Sequence, residues 1–219
     1  MPIPRTKKTF HRRELPHLQP LGGTFFVTYN LADAIPKKIL NNWSTELHNQ
    51  KKTIRQLSKN PDVEIDNLYK KFFAIRDKYL DQNPQGENSL NIEQLAQIVY
   101  DSLLFWNGKF LEMYCFCIMS NHVHAVFRLF DKTEVEKPKY LEDIMHSIKR
   151  FSAYEINKIL NRAGHFWQVE SYDRWVRNDE EQHRIIEYVL NNPVKAKLCQ
   201  KPLDWKWTFL NERFKKIFQ

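Results

Sequence analysis

The sequence predicts an α+β domain, an antiparallel sheet with helices packed on it, and three observations carry that prediction. Short runs of β-branched and aromatic residues alternate with longer segments of helical period. Two of the runs, at 109–119 and 122–130, are linked by Ser120-Asn121 alone, which is hairpin spacing. The order strand, helix, strand, strand, helix, strand, helix then favours an antiparallel sheet covered by helices.

Each element has its own signal. "GGTFFVTYNL" (22–31) reads as the first strand, closed by Pro36. Residues 36–90 turn polar and helical, with Leu40, Trp43 and Leu47 at helical spacing, a second helical run at 64–80, and a loop by composition at 81–89. "LNIEQLAQIVYDSLLFWNG" (90–108) carries Leu95, Ile98, Val99 and Leu103 on one stripe. The hairpin follows, and then a long helix at 139–160 with Leu141, Ile144, Met145, Ile148 and Phe151 on its buried stripe and Lys149 and Arg150 off it. An extended segment at 165–177 leads into the last helix. That helix starts at Asn178 or Asp179, with Glu181 or Gln182 as capping-box partner, and is expected to stop before Pro193.

At 219 residues the chain suits a single domain with elaborations. Its formal charge of +8 favours polyanionic partners such as nucleic acid. No run approaches the roughly 18 apolar residues of a membrane span, and "MPIPRTKKTFHRRELPH" lacks the apolar core of a signal peptide, so a cytoplasmic protein with no membrane contact is expected. Cys115 and Cys117 alternate within an apolar strand while Cys199 stands apart. Two buried strand thiols fit that pattern better than a metal pair or a disulfide framework.

The chemistry starts from "MSNHVHAVFRLF" (119–130). Strand alternation puts His122, His124, Val126 and Arg128 on one face, and Val123, Ala125, Phe127 and Leu129 on the other, core-facing side. The two imidazoles then stand about 7 Å apart at the backbone and project the same way, close enough to share a divalent cation. Spacing alone leaves open whether they are ligands or incidental strand histidines. In "EQHRIIEYVLNNPVK" (181–195) the apolar arc holds Ile185, Ile186, Val189 and Leu190, whereas Glu181, Arg184, Tyr188 and Asn192 share the opposite arc. Tyr188 and Asn192 are helix neighbours at i, i+4, so a cation on the Asn192 oxygen would lie within reach of the Tyr188 hydroxyl. A bland exposed tyrosine beside an asparagine has the same spacing.

In combination, "MSNHVH" (119–124), "FWQVESYDRWVRNDEE" (166–181), "IIEYVLNNPVKAKL" (185–198) and, more loosely, "PLDWKWTFL" (202–210) resemble the single-tyrosine HUH transposases, in their REP-associated tyrosine transposase branch. The resemblance implies the ferredoxin-like antiparallel sheet of the HUH endonuclease fold over 1–219, with a basic arm at 1–20. Residues 36–90 then become a helical insertion, either an added contact surface or a hairpin without chemistry. It implies Tyr188 as nucleophile, His122, His124 and Asn192 as ligands of Mg²⁺ or Mn²⁺, and cleavage and rejoining of single-stranded DNA, next to hairpin-forming repeats, through a 5′-phosphotyrosine. The cation would polarise a non-bridging phosphate oxygen as the tyrosine attacks in line. Where relatives carry "YDH" this chain has "YDR", so Arg174 replaces a histidine. A bidentate phosphate contact and a solvated strand residue are equally compatible with it.

Single-stranded DNA would follow a basic track with aromatic faces. Arg12, Arg13, Lys149, Arg150, Arg174 and Arg177 are the candidate contacts, with Arg5, Lys7 and Lys8 beside them in the arm. Trp167, Trp175, Trp205 and Trp207 are expected to pack rather than stack on bases. The expected partners are single-stranded and hairpin DNA at the nucleoid, and a homodimer is an allowed assembly. Two other readings keep the same residues: a domesticated nucleic-acid-binding module that does not cut, and a His-ligated metallohydrolase with a structural Tyr188.

Overall fold

The computed structural model describes residues 20–82 and 87–218. Its sheet is built from β1 (Thr24–Asn30), β2 (Leu111–Ile118), β3 (His122–Leu129), β4 (Tyr172–Val176) and β5 (Thr208–Leu210). The strand order is β4-β1-β3-β2-β5, and each neighbouring pair is antiparallel. The helices are α1 (Lys37–Leu57), α2 (Pro61–Gln82), α3 (Glu93–Leu104), α4 (Leu141–Ile159), α5 (Asp179–Lys195) and α6 (Glu212–Phe218). The fold is therefore the α+β class that the sequence predicts. No described helix is long and apolar enough to cross a membrane.

Alternation along the strands separates two apolar cores. Phe25, Val27 and Tyr29 of β1 join Val123, Ala125, Phe127 and Leu129 of β3 beneath α3 and α4. Phe26, Cys115, Cys117, Val126 and Tyr172 form the other core with Ile186, Val189 and Leu190 of α5, and Phe73 of α2 packs against it. The β3 residues expected to face the core do so, but the histidine face is covered as well. Cys115 and Cys117 are free, buried thiols, and burial pushes Cys117 up to about 12. The tryptophans pack: Trp167 donates to Ser152 Oγ at 2.9 Å, and Trp205 donates to the Ile118 carbonyl at 2.9 Å.

Two expectations are corrected. Phe151 is exposed, and Ser152 occupies the buried stripe of α4 instead. The stripe advances by four residues from Ile148 to Ser152 and again to Ile156, so the third residue on falls outside it. Second, α5 does not stop before Pro193; it runs on to Lys195. Proline removes one ladder hydrogen bond, but Pro193 is buried and Ala196 N–H donates to the Asn192 carbonyl at 3.0 Å, which closes the final turn around it. At the other end Asn178 is the cap, its side chain accepting from Glu181 N–H at 2.8 Å. The Glu181 carboxylate turns to Arg177 N–H and Arg174 rather than completing a capping box.

Candidate active site and metal centre

Register brings residues of the two neighbouring strands beside the histidines. Thr28 of β1 and Cys117 of β2 flank His124, and Asn30 pairs with His122. Thr28 Oγ1 lies 2.7 Å from His124 Nδ1. His122 Nδ1 lies 2.6 Å from Asn121 Oδ1, and Asn121 Nδ2 donates to the Leu80 carbonyl at 3.1 Å. A carbonyl only accepts, so Leu80 fixes which way the Asn121 amide points. Asn121 Oδ1 must then accept, which puts the His122 proton on Nδ1 and leaves Nε2 a bare lone pair. Burial and the neighbouring His124 push His122 down to about 3, so it is neutral at physiological pH. The two Nε2 atoms converge to 3.0 Å.

Helix α5 brings Tyr188 over this face. Its ring packs among His124, Phe26 and Phe73 at centroid distances of 5.5, 6.0 and 6.1 Å. Asn192, expected on a polar arc, is fully buried; its Nδ2 donates to the Tyr188 carbonyl at 2.9 Å and its Oδ1 has no hydrogen-bond partner. Tyr188 is therefore brought against the histidine pair, with Asn192 buried one turn further along the same helix.

Sequence reasoning missed what α2 contributes. Asp77 accepts a hydrogen bond from the Tyr188 hydroxyl through Oδ2, and its Oδ1 lies 3.2 Å from His124 Nε2. Burial alone would raise the Asp77 carboxyl, but His124, His122 and the Tyr188 hydroxyl outweigh it and hold it at about 2. One turn on, Asp81 is pushed up to about 6 by burial and the Asp77 charge, with Oδ1 4.0 Å from His122 Nε2. Burial and the same Asp77 charge push the Tyr188 phenol well above its ordinary value. Arg76 reaches the other way and donates to Asn30 Oδ1. A signal existed: "AIRDKYLDQ" sets two carboxylates four residues apart, and Asp77 falls on the stripe that also buries Ile65, Tyr69 and Leu80.

These donors fit a divalent cation of the Mg²⁺ or Mn²⁺ type. Imidazole nitrogens, carboxylate oxygen and amide oxygen are suitable ligands, and the buried Asp77 Oδ1, Asp81 Oδ1 and Asn192 Oδ1 all lack hydrogen-bond partners. Asp77, His122 and His124 each offer a ligand atom within 4.8 Å of the others.

The basic candidates divide. Arg12 and Arg13 lie outside the described residues. Lys149 donates to the Gln168 and Val169 carbonyls and to Ser171 Oγ, tethering that segment to α4. Arg174 is largely buried between Asp66 of α2 and Glu181 of α5, at 2.9 and 2.6 Å. Arg150 and Arg177 are exposed.

Residues 88–192, from Asn88 to Asn192, match the family described as "Transposase IS200 like". A solved structure, that of a REP-associated tyrosine transposase bound to a REP hairpin, is similar in fold, with a TM-score of 0.52 and 14% identity over 90% of this chain and 81% of that one. No curated protein matches the chain.

Proposed function

We propose, from the match of residues 88–192 to the IS200-like transposase family, that the chain is a metal-dependent tyrosine transposase that cleaves and rejoins single-stranded DNA. The observation that carries the proposal is the convergence of the His122 and His124 Nε2 atoms beside a tyrosine hydroxyl held by Asp77. His122, His124 and Asn192 are the proposed ligands of Mg²⁺ or Mn²⁺. When bound, the cation would offset charge on a non-bridging phosphate oxygen.

The residues themselves account for the rest. The phenol of Tyr188 is protonated at neutral pH, so attack needs its proton removed. The hydrogen bond to Asp77 Oδ2 supplies the path for that proton. As the phenol oxygen bonds to phosphorus, the bond from phosphorus to the 3′-oxygen breaks. The proton ends on that oxygen, leaving a 3′-hydroxyl and a 5′-phosphotyrosine. A later 3′-hydroxyl reverses the exchange and joins new ends. The test is a labelled single-stranded oligonucleotide incubated with the protein, with and without Mn²⁺: a denaturant-resistant adduct mapping to Tyr188 is expected. Turnover without any adduct would favour a metallohydrolase instead. His122→Ala should abolish cleavage while most of the DNA affinity remains, and binding without cleavage in both proteins would identify a non-cutting module.

We read residues 36–90, which hold α1 and α2, as a helical insertion, and residues 1–20 as a basic arm. Hairpin DNA is the proposed partner, supported by the hairpin bound to the similarly folded transposase. On the exposed side of α4, Arg150, Phe151, Tyr154 and Lys158 interleave charge with aromatic faces. This helix covers the opposite side of the sheet from the histidines, so a strand serving both rounds the β4 edge past Arg177. Phe151→Ala with Tyr154→Ala should weaken single-strand binding roughly tenfold with an unchanged salt slope, because stacking releases no counterions. Arg150→Ala should lower the slope by about 0.7 instead. Fluorescence anisotropy across a salt series distinguishes the two.

A further inference from the structure

We infer that Asp77 is the anionic ligand of the cation in this chain and ties it to the nucleophile, one carboxylate oxygen to each. This rests on the reading of His122 and His124 as metal ligands. Asp77 belongs to α2, outside the residues 88–192 that match the family.

The geometry divides the carboxylate. Oδ2 accepts from the Tyr188 hydroxyl. Oδ1 is buried without a hydrogen-bond partner, 3.2 Å from His124 Nε2. The Asp77 side chain is only 10% exposed, and it occupies a helix stripe that otherwise buries apolar residues. A carboxylate at such a position is costly unless something charged meets it. The His122 Nε2 lone pair points at the same place, as derived from Leu80 and Asn121. A single proton on His124 Nε2 satisfies only part of this arrangement, because His122 Nε2 and Asp77 Oδ1 are both acceptors. A dication satisfies all three atoms at once.

Asp81 brings a second carboxylate beside His122. It lies one helical turn from Asp77, its Oδ1 also buried and unpartnered, 4.0 Å from His122 Nε2. The Asp77 carboxylate and the two imidazoles face one point, where bare lone pairs repel and a cation attracts, and Asp81 adds negative charge beside His122. The neutral set of two histidines and an asparagine would hold a hard cation weakly; a carboxylate supplies the missing negative charge. The α1–α2 hairpin thereby becomes part of the active centre rather than an ornament on it.

The test is Mn²⁺ binding to the full chain without DNA, by titration calorimetry, with folding followed by circular dichroism. Wild type should bind one Mn²⁺, His122→Ala should lose it, and Asp77→Asn should bind at least about tenfold more weakly. Asp77→Cys provides a readout that does not depend on loss: a thiolate at residue 77 should gain Cd²⁺ binding, with a sulfur-to-cadmium absorption above the wild-type background. Wild-type affinity in Asp77→Asn, or no new absorption in folded Asp77→Cys, with binding still lost in His122→Ala, overturns the role of Asp77 and leaves the histidine site standing. Unchanged binding in His122→Ala, or none in wild type, overturns both.

Discussion

A Tyr188→Phe protein is expected to form no covalent adduct with single-stranded DNA under conditions where wild type does, and to stay folded. The ring is retained, so its packing against His124, Phe26 and Phe73 survives. What goes is the oxygen that would form the phosphate ester and the hydrogen bond to Asp77. Leaving the buried Asp77 Oδ2 unpaired costs about 1–3 kcal/mol. For a chain of this size that lowers Tm by several degrees without unfolding it. Denaturing electrophoresis of labelled oligonucleotide and a thermal melt read the two effects separately. An adduct that persists in Tyr188→Phe removes the tyrosine from the reaction.

The second large effect concerns how α2 is held over the site. Arg174 joins Asp66 of α2 to Glu181 of α5, with the three side chains 12%, 24% and 14% exposed. Burial alone would raise both carboxyls; the Arg174 guanidinium, with Lys70 at Asp66 and Arg177 N–H at Glu181, overrides it and lowers both. Arg174→Leu leaves two shielded carboxylates facing each other and should cost about 3 kcal/mol at pH 7, or roughly 10 °C in Tm. The sign of its pH dependence follows from linkage. A carboxylate lowered on folding contributes stability that is present above its unfolded value, here 4.5 for Glu181 and 3.8 for Asp66, and is lost as pH falls through the folded one. Wild type should therefore lose stability below about pH 4.5, whereas Arg174→Leu loses less, and the gap between them narrows with acidification. A constant gap from pH 7 to 3 would mean that the ion pairs contribute nothing to the fold. The same observation bears on Arg174 as a DNA contact: its guanidinium is already engaged by two carboxylates.

Charge, by contrast, could be counted but not assigned. Lys149 and Arg150 are adjacent in sequence, yet one tethers residues 168–171 and the other is exposed. The partners of Lys149 lie in a segment some twenty residues away, and nothing in "SIKRFSAYEINKIL" marks it. Phe151 was similarly illegible: whether the third or the fourth residue along a helix is buried depends on where the sheet lies beneath it.

The sequence by itself determined the elements, the hairpin that carries His122 and His124 on one face, and the helix that carries Tyr188 and Asn192 one turn apart. These follow from local periodicities of two and about 3.6 residues, which the chain carries whatever it packs against. Only the tertiary structure decided that the two elements meet, that Leu80 and Asn121 set the His122 lone pair, and that Asp77 of α2 reaches the histidines, with Asp81 4.0 Å from His122. Such contacts depend on strand register and on where a helix crosses a sheet. Those are fixed by the burial of whole faces, such as Phe73 of α2 against Phe26 and Tyr172, and no local spacing encodes them.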